Sequence, residues 1–211
     1  MSKALITDFG GVLVRTRTDR SRRELERKLG WPLHTIEERV FNSDLSLRAS
    51  HGEMTEDAFW DQLARDFNLA HYHLTGAEFR HEFFADDFLD EELVEFMRSL
   101  RPPIKVGLIS NAWLGLRSVL QTVFHIDDLF DELVISAEEK VMKPDARIYR
   151  LALDRLALQP AEAIFLDDMP INVEAANALG MLGVRFQSTE QALRDIRSRL
   201  IAERAPVKLV G

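Results

Sequence analysis

Five short apolar runs constrain this 211-residue chain more than any other feature: Ala4 to Thr7, Ile104 to Ile109, Leu133 to Ile135, Ala163 to Leu166 and Leu182 to Phe186. Each is long enough for a buried strand and too short for a buried helix, and helical patterns lie between them, including Asp145 to Leu156, Asn172 to Leu179 and Thr189 to Ala202. Strands without polar alternation that alternate with helices specify a parallel sheet covered on both faces. The expected fold class is therefore α/β, with a Rossmann-like core.

One block breaks the alternation. Residues 15–87 hold no convincing buried strand but several amphipathic helical patterns, such as Arg20 to Leu29, Thr55 to Phe67 and Thr75 to Phe84. The expected organisation is a core formed by residues 1–14 and 88–211, with residues 15–87 inserted as a helical cap after the first strand. A helix over Glu91 to Leu100 leads back to the sheet, and Pro102-Pro103 stops it.

Composition removes several functions. With no cysteine there is no disulfide framework, thiolate metal site or cysteine nucleophile. Twenty-seven basic against 35 acidic side chains leave a net charge of −8, which argues against broad nucleic-acid or anionic-membrane binding. No run approaches the ~18 apolar residues of a membrane span, and Asp8 interrupts the N-terminal run, so neither a span nor a signal peptide is expected. A cytoplasmic protein, monomeric or homodimeric, is the expectation. Glycine-rich nucleotide loops and G-x-S-x-G elbows do not occur. His71, His73 and His81 lack ordered ligand spacing and read as surface residues.

In open parallel sheets ligands collect at the carboxyl ends of the strands. Here the first run ends in Asp8, the second in Ser110-Asn111 and the fourth in Asp167-Asp168, while Lys143-Pro144-Asp145 follows the third. Any one is an ordinary cap or turn residue. Together, a carboxylate, a hydroxyl, an ammonium and an acidic pair form a site for a divalent cation and a phosphate-like anion. Two adjacent carboxylates ending an apolar strand repel each other unless a cation joins them.

These segments, Asp8-Phe9-Gly10-Gly11-Val12, Ile109-Ser110-Asn111, Lys143-Pro144-Asp145 and Phe165-Leu166-Asp167-Asp168, resemble the four motifs of the haloacid dehalogenase-like hydrolase superfamily. The helical block stands where that family has its C1-type cap. Gly52-Glu53-Met54-Thr55-Glu56-Asp57-Ala58-Phe59-Trp60 is similar to the cap wording of the branch of sugar-phosphate phosphatases and soluble epoxide hydrolase N-terminal domains. The resemblance implies a five-stranded core of order 5-4-1-2-3 and a Mg²⁺-dependent phosphatase of small phosphorylated metabolites. Asp8 would be the nucleophile. Asp8, the Gly10 carbonyl and Asp168 would hold the metal, with Asp167 as a further ligand or as a support behind them. Ser110 and Lys143 would act on the phosphoryl group, with Gly11 and Asn111 beside it.

One departure bears on activity. Most phosphatases of the family carry a second Asp two residues after the nucleophile as general acid, and this chain has Gly10 there. A weakly catalytic or inactive binding protein, or a dehalogenase or phosphonatase type of hydrolase, are the alternatives. Dehalogenases work without metal and lack the acidic pair, and the only lysine in residues 15–87, Lys28, matches a phosphonatase lysine poorly. The leaving group would be chosen by the cap. Residues 15–28 hold seven basic against three acidic side chains (7 − 3 = +4), so Arg15 or Arg17, or the Arg20, Arg23 and Arg27 face, is expected to draw in an anion, and Trp113 to line the pocket. Phe41, Phe59, Trp60, Phe83, Phe84 and Phe88 read as cap core.

Overall fold

The computed structural model describes residues 2–202. Its elements run β1 (Ala4–Thr7), β2 (Val14–Thr16), α1 (Arg20–Leu29), α2 (Ile36–Phe41), α3 (Asp44–Ser50), α4 (Glu56–Asp66), α5 (Gly76–Phe83), β3 (Asp87–Leu89) and α6 (Glu91–Leu100). There follow β4 (Lys105–Ser110), α7 (Leu116–Thr122), β5 (Glu132–Ile135), α8 (Ser136–Glu139), α9 (Ala146–Leu156), β6 (Ala163–Asp167), α10 (Pro170–Ala178), β7 (Leu182–Arg185) and α11 (Thr189–Ala202). The main sheet is parallel, in the order β5-β4-β1-β6-β7. Numbering only its own strands, that is the expected 5-4-1-2-3 read from the other edge.

Successive strand residues point to opposite faces, so each apolar run supplies two cores. Leu5, Leu108, Leu166 and Val184 pack under α6, α7 and α11 with Met97, Leu120 and Ile196. Ile6, Ile109, Val134 and Phe165 pack under α9 and α10 with Tyr149, Ala152, Leu156 and Ala176. The first strand, flanked on both sides, is completely buried. Its end therefore lies at the centre of the sheet's carboxyl edge, where Asp8 follows.

Residues of α1 to α5 have a core of their own, built from Leu25, Leu29, Val40, Phe59, Trp60, Leu63, Phe79 and Phe83. Local signals fix their ends. Thr55 and Thr75 accept hydrogen bonds from the third helical N–H of α4 and α5, and Thr75 forms a capping box with Glu78. Gly30 ends α1 at φ 66°, which only glycine adopts without strain. The buried Glu26 carboxylate accepts N–H groups of His34, Thr35 and Ile36, holding the loop that starts α2.

A two-stranded ribbon was not legible in the sequence. Strands β2 and β3 pair antiparallel, Arg15 opposite Phe88, where the chain leaves the core and where it returns. At three residues each and half-buried, they are too short to show alternation.

Candidate active site

Every strand-end residue singled out above meets at one edge, and Lys143 is the hub. Its side chain is buried, with Nζ 2.8 Å from Asp8 Oδ1, 2.7 Å from Asp167 Oδ2 and 2.9 Å from the Ile109 carbonyl oxygen, to which it donates. Two hydrogen bonds position the lysine backbone: Lys143 N donates to Asn111 Oδ1 at 2.8 Å, and Asn111 Nδ2 donates to the Lys143 carbonyl at 2.9 Å. Asn111 thus serves the lysine loop rather than pointing a free amide at a ligand. Ser110 is buried at the end of β4, one strand over from Asp8.

The two acidic neighbours divide their tasks. Asp167 is fully buried and its oxygens are taken: Oδ2 by Lys143, Oδ1 by the Met169 N–H at 2.8 Å, and both by Asn172 Nδ2 at 3.1 and 3.2 Å. Asp168 is half-exposed and lies against Gly11, at which an added Cβ would stand 2.5 Å from Asp168 Oδ2. Gly11 also has φ +80°. A side chain is excluded there both by backbone conformation and by the carboxylate above it. Asn172, which orients Asp167, was not found from sequence. An amide in the first turn after an acidic pair was the available signal, and it reads equally well as an ordinary helix residue.

Charge does not balance at this edge. Asp8, Asp167 and Asp168 each bring one oxygen within 4.8 Å of the others, and one ammonium faces them. Burial pushes the Asp8 carboxyl up to about 6, with Lys143 pulling it down and Asp167 pushing it up further. Burial, then Asp167, raises Asp168 as well. Hard carboxylate oxygens left with excess negative charge fit a Mg²⁺ ion, which would be held by Asp8 and Asp168.

The remaining expected residues lie elsewhere or do something else. Arg15, expected at the anion, donates to Asp90 Oδ2 and to Thr189 Oγ1 at 3.2 Å, and its guanidinium lies over the Phe88 and Phe186 rings, 5.2 and 5.1 Å from their centroids. It fastens the ribbon to α6 and α11. Arg20 and Arg23 pair with Glu24 and Asp19 along their own helix. Trp113 packs against the cap's aromatic cluster, 4.2 Å from Phe59 and 5.3 Å from Trp60, centroid to centroid. Phe59 and Phe83 are fully buried as expected, whereas Phe41 is 43% exposed. His71, His73 and His81 are exposed.

The family model for haloacid dehalogenase-like hydrolases matches residues 2–180, which carry all four strand-end segments. The chain belongs to that family. Bifunctional epoxide hydrolase 2 of Rattus norvegicus is 33% identical over 93 residues, 42% of this chain, and the match spans 17% of that protein's length. The sesquiterpene phosphatase astK of Aspergillus oryzae is 27% identical over 199 residues, covering 92% of this chain and 95% of that one. Among solved structures, the family enzyme bt-2542 of Bacteroides thetaiotaomicron, complexed with magnesium and inorganic phosphate, superposes with a TM-score of 0.72 at 21% identity. That likeness covers 90% of this chain and 96% of the other, and it bears on the fold. Family and fold agree with the motifs read from the sequence: the chain has the α/β fold of a haloacid dehalogenase-like core.

Proposed function

We propose that the protein is a Mg²⁺-dependent phosphatase of small phosphorylated metabolites, with Asp8 as nucleophile. The observation that carries this reading is the cluster of Asp8, Asp167 and Asp168 around Lys143, with Asp8 buried, neutralised on one oxygen only and facing the half-exposed Asp168. The phosphatase name of the A. oryzae relative, similar along nearly its whole length, supports it, as does the magnesium and phosphate complex of bt-2542.

In this reading a carboxylate oxygen of Asp8 attacks phosphorus while the ester P–O bond breaks and its electron pair leaves with the alcohol oxygen, which takes a proton from water. Water then attacks the aspartyl phosphate, releasing inorganic phosphate and the free carboxylate. Mg²⁺, when bound, offsets the repulsion between carboxylate and phosphate and polarises the phosphoryl oxygens. Lys143 holds Asp8 in place through the 2.8 Å contact and offers positive charge to the developing oxyanion. Ser110, at the end of β4, donates to a phosphoryl oxygen. Asp167, tied down by Lys143, Met169 N–H and Asn172, fixes the lysine and the turn that presents Asp168. Residues 15–87 act as the cap over this edge, and residues 1–14 and 88–211 as the core.

One observation favours a second reading, a metal and phosphate binding protein of low turnover. Gly10 is exposed, and an added Cβ there meets nothing within 4 Å, so the space where related phosphatases place an acid is open. Hydrolysis of 4-nitrophenyl phosphate separates the two. A phosphatase turns it over with Mg²⁺, stops in chelator and loses activity in Asp8→Asn. Tight phosphate binding without turnover supports the binding protein.

A further inference from the structure

Gly52 to Trp60, the segment whose wording marks the cap in the sequence, lies against the core. Gly52, at φ +72°, sits so close to α8 that an added Cβ would stand 2.0 Å from the Ala137 carbonyl oxygen, a backbone atom with no freedom to move aside. Four residues on, the Glu56 carboxylate lies over Gly115 at the start of α7, where an added Cβ would meet Oε2 at 1.5 Å. Its Oε1 accepts from Trp60 Nε1 at 3.3 Å and pairs with Arg80 Nη2 at 2.7 Å, so the carboxylate is held from the cap side. Trp113 reaches across from the core side. Its ring packs with Phe59 and Trp60, both buried, and its indole N–H donates to the buried Ser46 Oγ at 3.3 Å.

The two core loops under this segment carry Ser110 and Lys143. One runs from Ser110 through Asn111 to Gly115, and the other starts at Ser136 and leads to Lys143. Hydrogen bonds tie them together: the Ala112 N–H donates to Ser136 Oγ at 3.0 Å, while Ser136 Oγ at 3.2 Å and the Ala137 N–H at 3.3 Å donate to the Ala112 carbonyl. The crossing between cap and core is fastened as well, because Arg15 on β2 holds Asp90 and Thr189. A cap that swung about the β2–β3 ribbon would draw Trp113 out of its aromatic cluster, expose Phe59 and Trp60, and part the indole N–H from Ser46.

Taking residues 15–87 as the cap, as proposed above, we infer that it is latched to the core and does not swing, and that Gly52, Glu56 and Trp113 are positioning residues: docked on the loops after β4 and β5, they hold Ser110 and Lys143 in register with Asp8. Substrate then enters past a fixed wall and not beneath a closing lid.

The test uses the absence of cysteine, which lets an introduced pair carry spin labels alone. His81→Cys on α5 and Asp154→Cys on α9 are both at exposed positions, one in the cap and one in the core. Double electron–electron resonance should give one narrow distance distribution, the same in chelator, with Mg²⁺, and with Mg²⁺ plus inorganic phosphate. A broad or two-component distribution in chelator, or a shift on adding Mg²⁺ and phosphate, overturns the latch. Gly52→Ala in the labelled pair should broaden or shift the distribution. Without labels it should lower kcat on 4-nitrophenyl phosphate by about 10²-fold, the cost of misplacing reacting groups by about 1 Å, with a much smaller change in KM. Gly30→Ala is the control: at φ +66° with nothing within 4 Å of an added Cβ, it brings similar backbone strain into the cap without touching the core, so distance and kcat should stay near wild type. An unchanged distance and kcat in Gly52→Ala, or an equal loss of kcat in Gly30→Ala, overturns the positioning role. Should Gly52→Ala fail to fold, Glu56→Ala, which takes the carboxylate off Gly115, replaces it with the same expected outcomes. If no phosphate ester is hydrolysed, the phosphatase reading fails by itself, and the distance distributions of wild type and variants decide the inference.

Discussion

Replacing the candidate nucleophile should stabilise the metal-free protein. Asp8 is held at about 6 against an ordinary value of 3.8, chiefly by burial. A carboxyl whose folded pKa is raised favours its neutral form in the fold. Its contribution to stability is therefore fully present below pH 4 and lost as pH rises through 6. The shift corresponds to about 3 kcal/mol at neutral pH, at 1.36 kcal/mol per unit. Asp8→Asn keeps an oxygen to accept from Lys143 and from the Phe9 N–H, which lies 2.7 Å from Oδ1, and removes the charge. In chelator at pH 7.5, the variant should thus melt roughly 6–12 °C above the wild type, at about 2–4 °C per kcal/mol for a chain of this size. Near pH 4 the gap should close. Mg²⁺ at 100 times its Kd should return about 2.7 kcal/mol to the wild type and much less to the variant. Differential scanning fluorimetry across pH 4–8, with and without Mg²⁺, reads all three. A variant no more stable than wild type at pH 7.5, or a gap independent of pH, refutes the charge reasoning.

Three further outcomes follow from the geometry. Lys143→Met leaves Asp8 and Asp167 facing each other without their ammonium; it should abolish turnover and cost about 3–5 kcal/mol in urea unfolding at pH 7.5, with part of the loss recovered at pH 5. Gly11→Ala meets both the +80° φ and Asp168 Oδ2 at 2.5 Å, so Mg²⁺ affinity measured by calorimetry should fall at least tenfold; unchanged affinity would separate Asp168 from the metal. Gly10→Asp enters open space and supplies an acid, so kcat on alkyl phosphates should rise by ~10²-fold, with a smaller gain on 4-nitrophenyl phosphate, whose leaving group needs no proton.

The strand-end residues could be read from sequence because in a parallel sheet each apolar run ends where the backbone meets solvent, so the next polar residue is placed by the strand itself. That logic found Asp8, Ser110 and the acidic pair, whereas Lys143, which lies beyond α8 rather than at the end of β5, and the sheet order came with the family resemblance. It could not assign partners across the fold. Arg15 looked free because Asp90 and Thr189, which hold it, are 75 and 174 residues away in the chain. For the same reason, the sequence leaves open whether Asp167 is a ligand or a support: its role depends on Asn172 and Lys143 converging on one carboxylate. Phe41 was read as cap core because a helical pattern gives the spacing of apolar residues and not which of them the packing leaves uncovered.

The central claim is that Asp8 becomes covalently phosphorylated. Rapid quench of the protein with Mg²⁺ and 4-nitrophenyl phosphate, followed by borohydride reduction and peptide mass spectrometry, reads it directly. The account predicts reduction of the Asp8 carboxyl to the alcohol, absent without Mg²⁺ and absent in Asp8→Asn. Turnover with no modified Asp8, or hydrolysis that survives Asp8→Asn, would contradict it.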